Sequence, residues 1–319
     1  MTPSTRANRT VLSVRLEPVV GSRFQPTGFP DLGAATFQRP PSGTRTEWSS
    51  SLLVESAQSM ANHLEGTTWD VATADQPTAL AGVPYVRIVD GDGTYLTSSR
   101  VEAHRLACAY IMEGQAGGED GKVWLMNRLG LVLGQPLDNR GVAAAVAALD
   151  PVSLVHGVFF AQKKPWPWQP KIARAVTSFI EAHDVREAVS GGVKKDSVIL
   201  SPGDGGSSEG YGMVPHHRVE FTAAEIVASV AVDHAQIRAY GLAEGATELV
   251  EALVDHELAT LFAGGLRLRT ACDLQVVDVS GGELPDAATA ASRIATAVAA
   301  IGPATPLEVV WTGRGVKKS

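Results

Sequence analysis

The chain has 319 residues, 45% of them hydrophobic and 19% charged, and a formal net charge of −7. This composition supplies a core for one large domain or two modest ones and excludes a disordered or collagen-like chain. Cys108 and Cys272 are the only cysteines and form neither a disulfide framework nor a metal spacing, so the expected location is a reducing cytoplasm; no signal peptide and no membrane association are expected either.

Val11–Leu16 alternates apolar and polar residues and predicts a first strand. Residues 21–33 follow, a loop with Pro26 and Pro30 fixing φ and Gly28 and Gly33 permitting positive φ, so it is shaped rather than floppy. It carries Arg23 and two exposed-type aromatics, Phe24 and Phe29. Residues 38–51 are rich in turn formers and predict a mobile stretch. Next comes a helix capped by Ser56, with Ala57, Met60, Ala61 and Leu64 on one stripe and Gln58, Ser59 and Asn62 off it. Taken alone, Ser56 is a cap. Together, an aromatic-and-Arg elbow and a polar helix start suit gripping a phosphate backbone, because the first turn presents unpaired N–H groups. A strand, a loop and a helix returning to a sheet are also how a ferredoxin-like or RRM-type α+β fold begins.

Further along, Val83–Val89 and Thr94–Thr97 predict a hairpin around Asp90-Gly-Asp-Gly. Asp90 and Asp92 lack the further ligands of a calcium loop, so the turn reading holds. Ser99-Arg-Val-Glu102 reads as a capping box opening a helix to about Met112, and residues 122–133 and 141–149 as further helices. Residues 83–150 thus read as a helical insertion. Residues 153–161 read as a buried strand with His156 as a hydrogen-bonded core residue. Lys163-Lys-Pro-Trp-Pro-Trp then offers two readings, Trp166 and Trp168 as base-stacking platforms or a proline-rich corner with both rings packed inward.

Residues 172–182 predict a strand. Residues 185–215 predict a long hairpin with a Gly/Ser tip and basic flanks, costly to order unless a partner holds it. Residues 225–232 lead to an amphipathic helix over 246–263, a strand over 266–277 with Arg267 and Arg269 on one face, a helix over 287–301 and a last strand over 307–311.

The net charge argues against a nucleic-acid binder, but its distribution does not. Residues 1–50 hold six arginines against Glu17, Asp31 and Glu47, residues 163–195 hold seven cations against three acids, and residues 240–290 hold nine acids against Arg267 and Arg269. No Walker loop, dinucleotide fingerprint, HExxH or nucleophile elbow is present. Asp255-His256 has no second arm at metal spacing. No catalytic residue, metal or cofactor is therefore expected.

The stretches Arg23–Ala35 and Leu53–Glu65, followed by Ser98–Arg105, Leu149–Gly157, Phe179–Ala182, Ser190–Lys194 and Tyr240–Leu242, resemble the backbone subunit of the type I-G (formerly I-U) CRISPR Cascade, a Cas-seven-like member of the RAMP superfamily. The ordered set spans most of residues 11–270. The resemblance implies a hand-like molecule: an RRM-like palm over 11–319, the 83–150 region as fingers, a thumb hairpin over 186–219 and a flexible tail over 1–10. It implies a non-catalytic protein that stacks with further copies of itself along CRISPR RNA and presents the guide to target DNA. Other partners would be Cas-five-like, Cas-six-like and large subunits and a recruited helicase-nuclease. The implied RNA-binding residues are Arg23, Gln25, Ser56, Gln58, Ser59 and Asn62, with Arg186, Lys194, Lys195, His217 and Arg218 at the thumb and Phe24, Trp166 and Trp168 for stacking. The competing expectation is a metal-dependent ribonuclease using Asp31, since type III relatives cut RNA with an Asp in the corresponding loop.

Overall fold

The computed structural model describes residues 7–29, 33–195, 213–311 and 313. Its architecture is α+β, built on a seven-stranded antiparallel sheet. Strand β1 (Arg9–Pro18) lies inside that sheet, and β2 (Thr36–Arg39) and β3 (Ser49–Glu55) form one edge. Helix α1 (Ala57–Gly66) follows directly. Of the tail expected over 1–10, Arg9 and Thr10 instead belong to β1 and pair with Asp233 and Val232.

After α1 the chain leaves the sheet. Strands β4 (Val86–Val89) and β5 (Tyr95–Ser98) pair around a turn in which the Asp90 carboxylate accepts from the Asp92 and Thr94 amides at 3.0 and 2.9 Å. Helix α3 (Asn139–Leu149) lies where expected, whereas α2 (Gly121–Arg128) starts where expected but stops at Arg128, short of residue 133, with Gly130 at φ = 66° just beyond its end. The helix expected from Ser99 is reduced to turns, one 3-10 segment and a four-residue helix at Ala109–Met112. The Ser99 hydroxyl does not cap; it donates to Asp150 Oδ2 at 2.6 Å, while Arg105 takes φ = 51°. Residues 83–150 are thus a mixed region rather than a helical one.

Residues 153–161 are also corrected. They form a short helix α4 (Val152–His156) and a two-residue strand at Val158–Phe159, separated by Gly157 at φ = 79°. A continuous apolar run has no period to separate helix from strand. His156 is buried and hydrogen-bonds Glu257 at 2.8 Å.

The chain then returns through β6 (Val176–His183), continues as β7 (Arg186–Lys195), and comes back as β8 (Met213–Thr222) and β9 (Glu225–Asp233). The tip expected to be Gly/Ser-rich lies outside the described residues. Short helix α5 (His234–Ala239) and long helix α6 (Glu244–Ala263) lead to β10 (Leu266–Arg269) and β11 (Cys272–Ser280), two strands where one was expected. Helix α7 (Ala287–Ile301) and strand β12 (Leu307–Val310) end the described chain, with β12 pairing parallel to β4 in a second, five-stranded sheet.

The large sheet runs β10-β11-β1-β9-β6-β3-β2. Alternation sets its two faces: Leu12, Val14 and Leu16 of β1 and Ile226, Ala228, Val230 and Val232 of β9 are buried. Helices cover this inner face. Helix α6 is buried nearly all round, through Leu249, Val250, Leu253, Val254, Leu258 and Phe262, because α7 packs on its other side. No described helix is long and apolar enough to cross a membrane. Both cysteines are free and buried, and burial pushes each thiol up to about 11.

Candidate nucleic-acid interface

Backbone hydrogen bonds tie together three segments far apart in sequence: the elbow after β1, the base of the β7–β8 hairpin and the end of β3 that leads into α1. The elbow is pinned at several points. Phe24 exchanges backbone hydrogen bonds with Phe221 at 2.9 and 2.8 Å, the Gln25 amide donates to Ala271 at 2.7 Å, and the Thr27 amide donates to Val54 at 2.9 Å. Arg269 is the clamp. Its guanidinium donates to the Gln25 and Val54 carbonyls at 2.8 and 3.3 Å and to the carboxylate of Glu55. Glu55 is only 2% exposed. Burial opposes its ionisation, but hydrogen bonds from His63 and Ser59 and the charge of Arg269 outweigh this and hold it below the usual carboxylate value.

This pinning brings together residues the sequence could single out only separately. Arg23 and Arg218 both turn to Glu220, at 3.4 and 3.6 Å, and the Ser190 hydroxyl donates to the same carboxylate at 3.2 Å. The carboxylate side chain is 10% exposed, whereas those of Arg23 and Arg218 are 55% and 38% exposed. Two cations on one acid leave an excess positive charge facing solvent. In the ladder, Arg186, Ser190 and Lys194 pair with Thr222, Arg218 and Val214, so alternation puts them on the face of this cluster. His217 pairs with Gly191 and belongs to the opposite face, with Val189, Val193 and Val219. Lys195 pairs with Met213 at the far end of the ladder. The two glycines suit a close approach here, since a Cβ on Gly191 would lie 2.8 Å from the His216 carbonyl.

At the mouth of α1, Ser56 accepts from the Ser59 amide at 3.2 Å and acts as the cap. Ser56 is thereby committed to the cap, and half-buried Ser59 supplies its amide to that bond. The cap leaves the amides of Ala57 and Gln58 as first-turn donors. Gln58 and Asn62 are exposed, and Gln25 is half-buried. Arg174, exposed and absent from the expected set, donates to the Ala57 carbonyl at 3.2 Å. Its sequence signal is the acid-poor basic block around it.

Two of the three expected stacking rings are corrected. Phe24 is fully buried, because its backbone bridges to Phe221 and carries the ring into the core. Trp166 is 4% exposed, lies against Phe160 with ring centroids 5.6 Å apart, and donates its indole N–H to the Lys122 carbonyl at 3.0 Å. Trp168 keeps 39% exposure while its indole N–H donates to the Gln135 carbonyl at 3.0 Å. Asp31 lies outside the described residues. Among the described residues, no three His, Cys, Asp or Glu are grouped to hold a metal ion; Asp255 is salt-bridged to Arg293, and His256 is buried.

Comparison with known proteins gives one family. The family model described as CRISPR-associated protein GSU0053 (Cas_GSU0053) matches residues 10–187. No curated protein matches the chain. A solved chain described as "CRISPR RNA-guided surveillance complex, pre-nicking" aligns at 13% identity and a TM-score of 0.35, over 84% of this chain and 76% of that one.

Proposed function

The chain belongs to the CRISPR-associated protein GSU0053 family, and we propose that it serves there as the non-catalytic, CRISPR RNA-binding backbone subunit of a type I-G Cascade, of the Cas-seven-like group. In this reading it polymerises head-to-tail along the guide and holds the spacer open for pairing with target DNA. Its partners are CRISPR RNA, further copies of itself, the other Cascade subunits and a recruited helicase-nuclease.

The observation that carries the proposal is the convergence of Arg23 and Arg218 on Glu220 at the base of the β7–β8 hairpin, on the elbow that the Thr27 amide ties to Val54 at the end of β3. A guanidinium half-held by a buried carboxylate is pre-oriented, so less side-chain entropy is lost when it takes a phosphate. Arg186 and Lys194 extend the cationic face along the hairpin, and the Ala57 and Gln58 amides offer two further donors. The chemistry is grip and distortion, with phosphate neutralisation supplying most of the affinity. The strand order β11-β1-β9-β6, with α1 among the elements joining β1 to β6 and α6 between β9 and β11, supports an RRM-like palm. The β7–β8 hairpin is then the thumb and residues 83–150 the fingers.

The protein purified from a cell carrying a CRISPR array is expected to bring RNA with it, protected from ribonuclease in fragments of regular spacing. Protein free of RNA, or RNA cut without periodicity, overturns the backbone reading. Loss of metal-dependent cleavage on Asp31→Ala would establish the ribonuclease reading instead.

A further inference from the structure

Residues 151–180 contain no Asp or Glu and four cations, Lys163, Lys164, Lys171 and Arg174, in a chain whose net charge is −7. The structure folds the middle of this stretch into a rigid platform. Val158–Phe159 pairs antiparallel with Lys171–Ile172. The ladder is extended by the Phe160 amide donating to Pro170 at 3.0 Å and the Gln169 side chain donating to Ala161 at 2.8 Å. The loop between is stapled by the two indole N–H bonds of Trp166 and Trp168. One face of the ladder, Val158 and Ile172, is buried in the core. The other presents Phe159, 51% exposed, directly opposite exposed Lys171. Gly157 sets the bend that aims it, since a Cβ there would lie 2.8 Å from the Ile172 carbonyl.

We infer that Phe159 and Lys171 form a stacking platform for one base of a single-stranded nucleic acid, separate from the Arg23–Arg218 cluster. A rigid, exposed phenyl ring beside a cation, with no acid nearby in sequence, matches a base and its phosphate: stacking needs only a π face, and the lysine takes the charge. Arg174, three residues on and bonded to the Ala57 carbonyl, joins the platform to the mouth of α1. The four cations select a polyanion, and the ring selects one with unpaired bases over an acidic peptide. The inference rests on the RNA-binding reading above and adds a second point of contact to it.

The test is fluorescence anisotropy of the full chain with labelled single-stranded oligo-U and oligo-dT over a salt series. Phe159→Ala is expected to weaken binding about tenfold with its salt slope unchanged, and Phe159→Trp to restore affinity. Lys171→Ala is expected to reduce the slope by about 0.7, the value for one phosphate contact on a single strand. Thermal unfolding midpoints should stay at the wild-type value, because both side chains are exposed. Loss on oligo-U alone, oligo-dT alone or both supports the platform and identifies its strand. Wild-type affinity in Phe159→Ala overturns the platform while leaving the arginine cluster standing. A wild-type chain that binds neither oligonucleotide overturns both readings.

Discussion

Replacing Asp150 with alanine is expected to lower the unfolding free energy by about 3–5 kcal/mol. The Asp150 carboxylate is a buried hub. It accepts from Arg100 Nε at 2.7 Å, from the Ser99 hydroxyl at 2.6 Å and from the Val152 amide at 3.2 Å. The Arg100 and Asp150 side chains are 0% and 1% exposed. Alanine would strand a buried guanidinium whose one other described hydrogen bond is to the Pro84 carbonyl, at 3.0 Å. It would also release the first turn of α4 and the start of the 99–112 segment together. Asp150→Asn keeps most of the hydrogen bonding and should lose less. Urea denaturation measures both, and a loss below about 1 kcal/mol for alanine, the size of a single ordinary hydrogen bond, would remove Asp150 from this role.

The second large effect is expected at Arg269. Arg269→Ala leaves Glu55 buried without its strongest cation and cuts the elbow from the Gln25 and Val54 carbonyls. We expect a stability loss of about 3 kcal/mol together with at least about tenfold weaker RNA binding under conditions where the variant is still folded. The two losses have separate causes: the first is an uncompensated charge, the second an elbow no longer holding Arg23 in place. Arg269→Lys should rescue neither fully, because one ammonium cannot reproduce a planar fork reaching three acceptors. Binding at wild-type strength in a folded Arg269→Ala would detach the clamp from the interface.

How much of this was legible from residues alone follows the range of each interaction. The alternation of Val11–Leu16 and the alanine-rich run of residues 287–301 are local patterns, and both elements lie where those patterns put them. Ser99 and Arg105 read as parts of a capped helix because capping is also local. The Ser99 partner is Asp150, 51 positions away, and no short-range signal reports it. The elbow shows the same division. Prolines and glycines announced a shaped loop, and Arg23 a cation on it. That Phe24 turns inward depends on its bridge to Phe221. The meeting of Arg23 with Arg218 depends on the same bridge and on Glu220, which nothing nearby in sequence distinguishes from an ordinary strand acid. Arg269 was visible as a strand cation; the register shift between Arg267 and Arg269 turns it inward while Arg267 stays exposed.

The RNA-binding reading stands on the arginine pair at the base of the β7–β8 hairpin, and the direct measurement is binding of single-stranded RNA by Arg23→Gln/Arg218→Gln against wild type across a salt series. The account predicts weaker binding, with the log–log salt slope reduced by about 0.7 for each arginine removed and thus about 1.4 for both. An unchanged affinity and slope in a folded double variant would contradict it.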